Sequence, residues 1–261
     1  MTPEWLKAKS YGEVLTYLRQ HVKEVVGHYG NDLVVWEVVN ELHDWANELE
    51  LDHAQTIELT RIACEVARDA NPDIKLLINT CCPFAEYVQK GLWHERPARF
   101  PQRSPQQYIA QLLDAGVDFD IIGVQKYFTK RPIAASAEII ESFAEFGKEI
   151  HLAEVGCPSR GITQEFIEDE EYDVALAPYE WRRHWDETLQ ADWLEAIFSF
   201  AYSKSWITAA NWYDFEDDHS FLKHGGLLRS PKGERKIAFN RLRDLQQRWR
   251  QLPGKPGNDS E

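Results

Sequence analysis

Two glutamates close short apolar runs, Leu33-Val34-Val35-Trp36-Glu37-Val38-Val39-Asn40-Glu41 and Glu149-Ile150-His151-Leu152-Ala153-Glu154. A carboxyl group can give or take a proton, and it can attack an electrophilic carbon. Two of them at one site are the minimum machinery for hydrolysing a glycosidic bond. A single glutamate at a strand end is more often an ion-pair or helix-cap partner. It is the repetition at two strand ends that points to chemistry.

Both runs read as buried strands rich in β-branched residues, each delivering its glutamate at the C-terminal end. The rest of the chain alternates in kind. Helical spacing over residues 11–27 runs through Val14, Leu15, Leu18, Val22 and Val25. The strand 33–40 follows, then a helix over 56–69, a strand over 74–79 and, past a Pro-rich connection, a helix over 106–115. Next come a strand over 119–127, a helix over 135–146, the strand that carries Glu154, a helix over 188–203, a strand over 206–213 and a helix over 237–251. Alternation of this kind is the order of a parallel α/β fold. It supplies about five strand–helix units where a closed (β/α)8 barrel has eight. The expected fold is therefore α/β of the TIM-barrel type, as an incomplete barrel. One domain is expected over residues 1–252, with a polar, disordered tail over 253–261. In such barrels the C-terminal strand ends carry the chemistry, and both glutamates are there.

The bulk numbers narrow the partners. The chain has 261 residues, 43 acidic against 29 basic, for a formal net charge of −14. Nucleic acid and anionic membranes need clustered Lys and Arg, so neither is an expected partner. No apolar run is long enough to span a membrane. The start, Met1-Thr2-Pro3-Glu4-Trp5-Leu6, has neither the charged nor the apolar region of a signal peptide. The four cysteines, Cys64, Cys81, Cys82 and Cys157, form no CxxC pair. The adjacent Cys81 and Cys82 suit neither a zinc site nor an easy mutual disulfide, so free structural thiols, no metal and no cofactor are expected. His43, His53, His219 and His224 read as surface or loop histidines. Ten Trp, ten Tyr and twelve Phe exceed what helix packing alone asks for. Aromatic planes also suit the C–H faces of sugar rings.

Four motifs in order carry a resemblance. Trp36-Glu37-Val38-Val39-Asn40-Glu41 resembles the W-D-V-V-N-E acid/base strand of glycoside hydrolase family 10, the retaining β-1,4-xylanases. Gly123-Val124-Gln125-Lys126-Tyr127 resembles its G-x-Q-x-H strand, and Ile150-His151-Leu152-Ala153-Glu154-Val155 its I-T-E-L-D nucleophile strand. Residues 212–222, then Gly226-Leu227-Leu228 and Pro231-Lys232, are similar to its last strand and the loop after it. The resemblance spans about residues 2–245. It implies a retaining hydrolase of xylan-type polysaccharide, with two carboxyls roughly 5–5.5 Å apart. Glu41 would be the acid/base, its pKa raised by burial and the second carboxylate, and Glu154 the nucleophile. Asn40, Gln125, Tyr127, Trp212 and Asn79 would contact substrate or hold the catalytic groups. The long loops after the strands ending at Asn79 and Gly156 carry Trp93, Phe100, Tyr172, Tyr179, Trp181 and Trp185, and some of these, Trp181 among them, are expected to line the aglycone side.

The departures are as informative. Tyr127 stands where the family has a histidine, Val155-Gly156 where it has Leu-Asp, and Phe221 where a second Trp is usual. A phenol can still donate to a carboxylate. The family's first three strands, which hold sugar on the non-reducing side, have no counterpart in these 261 residues. The chain is therefore expected to be a fragment of a longer glycosidase. The alternatives are a catalytically impaired carbohydrate-binding relative and a β-glucanase of similar mechanism. Open sheet edges also offer a route to self-association. The family is commonly exported, so secretion is expected if a signal lies upstream.

Overall fold

The computed structural model describes residues 2–93, 96–127, 132–161, 181–218 and 220–252; the expected tail lies outside them. The chain opens with α1 (Glu4–Lys7) and α2 (Tyr11–Tyr29), then β1 (Val35–Asn40), α3 (His53–Ala70) and β2 (Lys75–Thr80). A short helix α4 (Glu86–Lys90) and a small hairpin, β3 (Leu92–Trp93) with β4 (Arg96–Pro97), fill the Pro-rich connection. Then come α5 (Pro105–Asp114), β5 (Ile121–Lys126), α6 (Ile133–Ala144), β6 (Glu149–Val155), α7 (Glu187–Ser203) and β7 (Ile207–Trp212). A second hairpin, β8 (Leu228–Arg229) with β9 (Glu234–Arg235), precedes α8 (Ile237–Arg250). The five longer strands fall where the apolar runs place them. The two hairpins, α1 and α4 are too short to carry a period.

Local signals start the helices. Ser10 with Glu13, Asp52 with Gln55 and Ser104 with Gln107 form reciprocal capping boxes, each satisfying two otherwise orphaned N–H groups. The five long strands make one sheet in the order β1-β2-β5-β6-β7, with β1–β2 and β2–β5 parallel. Among the described residues this sheet is open: an α/β fold of the TIM-barrel family with an incomplete barrel.

Burial follows position in the sheet. Every residue of β5 is buried, and so are all of β2 after Lys75. Among the described residues β1 has a neighbour on one side only, and Glu37 and Asn40 are exposed on it. The expectation of a buried first strand is corrected here, because an edge strand has cover on one flank at most.

The chain forms two compact units. Unit 1 comprises Met1–Lys126, Glu138–Ala153 and Trp206–Ala209; unit 2 comprises Tyr127–Ala137, Glu154–Ser205 and Ala210–Glu261. In unit 1, α2 packs on α3, and Tyr11 Oη donates to Gln55 O at 2.9 Å. In unit 2, α7 packs on α8 with Tyr202 stacked on Trp249 at 4.4 Å and Arg241 bound to Glu195 at 2.5 Å.

Candidate active site

In unit 1 the ends of β1 and β2 set Glu41. The pairing of the two strands slips between Glu37 and Val39, so Val38 is bulged and Asn40 lies opposite Asn79. Such a bulge re-aims the residues beyond it. Glu41 N–H then donates to Asn79 O at 3.0 Å, while Glu41 O accepts from the N–H groups of Asp44 at 2.9 Å and Ala46 at 3.2 Å. Glu41 adopts φ 54°, the left-handed region that a non-glycine residue enters at a cost of about 1–2 kcal/mol. Strain of that kind collects where the surrounding structure holds a residue for a purpose.

The Glu41 carboxyl has an identifiable partner. Gln125, buried on β5, donates through Nε2 to Glu41 Oε1 and, at 3.4 Å, to Asn40 Oδ1. Asn79 is buried on β2, and a Cβ at Gly123 would come within 2.7 Å of its Oδ1, so only glycine fits there. Unit 1 thus brings Asn40, Glu41, Asn79 and Gln125 together.

Behind Glu41, the turn buries two polar side chains. His43 is 2 % exposed, which corrects its reading as a surface histidine. Tyr87 and Tyr108, from elsewhere in the chain, cover its ring. Burial, with the positive charge of Arg103, pushes it down to about 3. Asp44 is pushed up to about 7 by burial first and the Glu41 charge second, against a hydrogen bond from Gln102. A cavity of about 520 Å³ in unit 1 is lined mainly by apolar residues of α1, α2 and β1, such as Trp5, Val14, Tyr17 and Val39. Its walls suit packing better than the polar contacts of a sugar.

In unit 2 Glu154 is held by a different donor. Tyr127 Oη donates to Glu154 Oε2, and burial first, then the Glu154 charge, raises the phenol far above its ordinary range. The Tyr127 ring lies 5.0 Å from Phe221 and 6.0 Å from Tyr213, both exposed aromatics. A Cβ at Gly156 would meet the Tyr127 ring at 3.1 Å. Two separate departures from the family motifs, Tyr127 and Gly156, are therefore one packing solution: the missing side chain leaves room for the ring.

Trp212 ends β7 half-buried, with Nε1 donating to Gly225 O at 3.0 Å and Trp193 meeting its ring edge-on at 6.3 Å. A planar ring locked in this way is suited to be a platform. The loop that fixes it rests on residues that no motif marks. Asp214, buried, accepts from Phe221 N–H at 2.8 Å and Leu222 N–H at 3.1 Å. Lys236, 1 % exposed, ties Asp217 at 2.6 Å, Ser159 at 2.9 Å and His224 O at 3.2 Å. No spacing signals these, because each joins residues brought close only by the fold.

Trp181 is half-buried with the Arg182 guanidinium 4.1 Å from its ring centre. Phe100 and Trp185 are buried, and Trp93 packs on Phe100 and donates to Asp44 O at 3.0 Å, so these rings serve loop packing. Tyr172, Tyr179 and His219 lie outside the described residues.

The model of glycosyl hydrolase family 10 matches residues 1–245. The chain belongs to glycosyl hydrolase family 10. Among its relatives, a β-1,4-xylanase of Dictyoglomus thermophilum is 32% identical over 164 residues, 59% of this chain and 42% of that enzyme. Endo-1,4-β-xylanase A of Caldicellulosiruptor saccharolyticus is 26% identical over 264 residues, 92% of this chain and 70% of that protein. Endo-1,4-β-xylanase B of Thermotoga neapolitana matches over 57% of its own length. The chain thus spans between about two-fifths and seven-tenths of these relatives. Native xylanase 10B of Thermotoga maritima shares the fold, with a TM-score of 0.64 and 20% identity over 95% of this chain and 71% of that one. The matched span of this family 10 chain includes Asn40, Glu41, Gln125, Tyr127, Glu154 and Trp212.

Proposed function

We propose that this chain carries the catalytic carboxyls of a retaining β-1,4-glycosidase acting on xylan. The observation that carries the reading is that each motif glutamate lies at the C-terminal end of a strand of a family 10 chain and has a neutral hydrogen-bond donor on its carboxyl: Gln125 on Glu41, Tyr127 on Glu154.

In this mechanism Glu154 attacks the anomeric carbon as the Glu41 carboxylic acid protonates the departing glycosidic oxygen. The C–O bond breaks, and a glycosyl ester on Glu154 remains. Glu41, now ionised, takes a proton from water, whose oxygen attacks the same carbon and releases Glu154. Asn40 would bind the sugar 2-hydroxyl, a contact that strengthens in the transition state. Trp212 would lie under the sugar at the point of cleavage, and Trp181 would meet the aglycone. A neutral donor would orient each carboxyl for its task, Gln125 at Glu41 and Tyr127 at Glu154.

The xylanase names of the relatives support xylan over a β-glucan. The deciding experiment follows the anomeric proton by NMR during cleavage of a xylooligosaccharide by the purified chain. Product appearing first as the β-anomer supports the double displacement, and the α-anomer first overturns it. A folded chain that binds xylooligosaccharide without cleaving it would favour a carbohydrate-binding relative.

A further inference from the structure

We propose that Asp44, Cys81 and Cys82 form a binding site for one thiophilic divalent cation of the zinc class. A carboxylate oxygen of Asp44 and the two Sγ atoms lie within 4.8 Å of one another. Adjacent side chains on a strand point to opposite faces. Here β2 has ended at Thr80, and Cys82 adopts φ 47°, so the alternation is broken and both thiols reach one spot. The third ligand comes from the β1 turn, 37 residues earlier than Cys81, and no spacing rule for zinc motifs includes it.

A second observation points to a ligand. Asp44 is 2 % exposed, and its Oδ1 is buried with no hydrogen-bond partner among the described residues. A buried acceptor without a donor is costly, and natural structures almost always satisfy one. Cys81 is buried beside it, whereas Cys82 is half-buried and opens the spot to solvent. That arrangement offers three protein ligands and one position for water.

The surroundings hold the ligands rather than compete for the ion. Tyr87 Oη donates to Arg103 O at 2.6 Å, so it accepts from His43 Nδ1–H at 3.0 Å. His43 Nε2 is then the acceptor, and it takes the Cys81 N–H at 3.3 Å. The ring thus braces the Cys81 backbone from 3.9 Å off its Sγ. Trp93 Nε1 fixes Asp44 O at 3.0 Å. Supporting contacts of this kind orient the ligands of metal sites.

The geometry needs little adjustment. Tetrahedral sulfur ligands ~2.3 Å from zinc are roughly 3.8 Å apart, so side-chain rotations of about 1 Å close the site. Binding turns both thiols into thiolates and sends two protons to solvent. The cation would then clip the turn that begins at Glu41 to the turn that follows β2. Two thiolates and one carboxylate favour zinc and its softer analogue cadmium over magnesium or calcium.

The test titrates the reduced, chelator-treated full chain with Cd2+, and separately with Zn2+. Expected are one equivalent of tightly held Cd2+ with thiolate-to-cadmium absorption in the ultraviolet, and a melting temperature raised by roughly 5 °C or more once the ion exceeds its Kd a hundredfold. Cys82→Ser and Asp44→Asn should each weaken binding at least ~10-fold, and Cys64→Ser should leave it unchanged. If Cys82→Ser fails to fold without metal, Asp44→Asn, which keeps the side-chain volume, decides between the outcomes by itself. Absence of Cd2+ binding, or binding untouched by Asp44→Asn or by a folded Cys82→Ser, overturns the proposal.

Discussion

The two motif carboxyls are held by unlike neighbours. Glu41 sits in a left-handed turn whose carbonyl is doubly bonded, and its carboxyl meets an amide from the fully buried strand β5. Glu154 is the penultimate residue of a regular strand, and its carboxyl meets a phenol ringed by exposed aromatics. Both donors are neutral, keep their proton and favour the ionised form of the carboxylate they meet, so the two settings differ in backbone, left-handed at Glu41 and regular at Glu154, and in the cover around the donor. In the proposed mechanism the first would pass a proton back and forth and the second would attack.

The sharpest way to break that comparison is to remove each carboxylate in turn. Glu154→Gln should lower kcat on xylan by at least ~1000-fold whatever the leaving group, since the attacking carboxylate is gone. Glu41→Gln should cost about 100- to 10,000-fold on xylan. It should cost far less on an aryl xylobioside with an acidic phenol, because that leaving group needs no proton. Equal losses on both substrates would make the assigned roles wrong.

Tyr127→Phe tests the phenol alone. It should lower kcat by about tenfold, the equivalent of one lost hydrogen bond to a charged group. The acidic limb of the rate profile should also move to higher pH, because the donor that favours the ionised carboxylate is gone. A tenfold loss with an unmoved limb would make Tyr127 a packing residue. Gly156→Ala should have a smaller effect of the same kind, since a methyl 3.1 Å from the Tyr127 ring needs the ring to give by a few tenths of an ångström. In Tyr127→Phe the same alanine should have a different cost, and the double-mutant cycle reads the coupling.

The smallest effect lies at the start of the strand that ends near Glu154. Lys75 Nζ binds Glu149 Oε1 at 2.6 Å and, as the largest cause, holds the Glu149 carboxyl below its ordinary range. A depressed carboxyl contributes stability above its unfolded pKa and loses it as pH falls through the folded one. Both side chains are about two-fifths exposed, so Lys75→Met should cost at most ~1 kcal/mol at pH 7. Chemical denaturation should show that difference vanishing in acid. A difference that persists there belongs to packing.

The strands were legible for a physical reason. Leu76-Leu77-Ile78 and Ile121-Ile122-Gly123-Val124 are apolar runs bounded by polar turns, and burial of both faces of a strand requires such runs. Asn40, Glu41, Gln125 and Glu154 were legible as motif positions at strand ends. The burial of His43 was not, because its turn carries no period and its cover comes from Tyr87 and Tyr108. Nor was the exposure of β1, since an edge strand and a central one read alike when the neighbouring strand is unknown. Trp185 and Phe100 looked like cleft aromatics because a ring that packs a loop has the same local sequence as one that meets a sugar.

The sequence alone determined the strand–helix order, the two glutamates at strand ends and the membership of family 10, because these rest on local pattern and on motifs in order. Only the tertiary structure decided what each carboxyl touches, why Tyr127 comes with Gly156, and that Asp44 meets two cysteines from another turn. Those contacts join residues tens of positions apart, and the separation that hides them in the chain is closed only when the apolar runs are buried together.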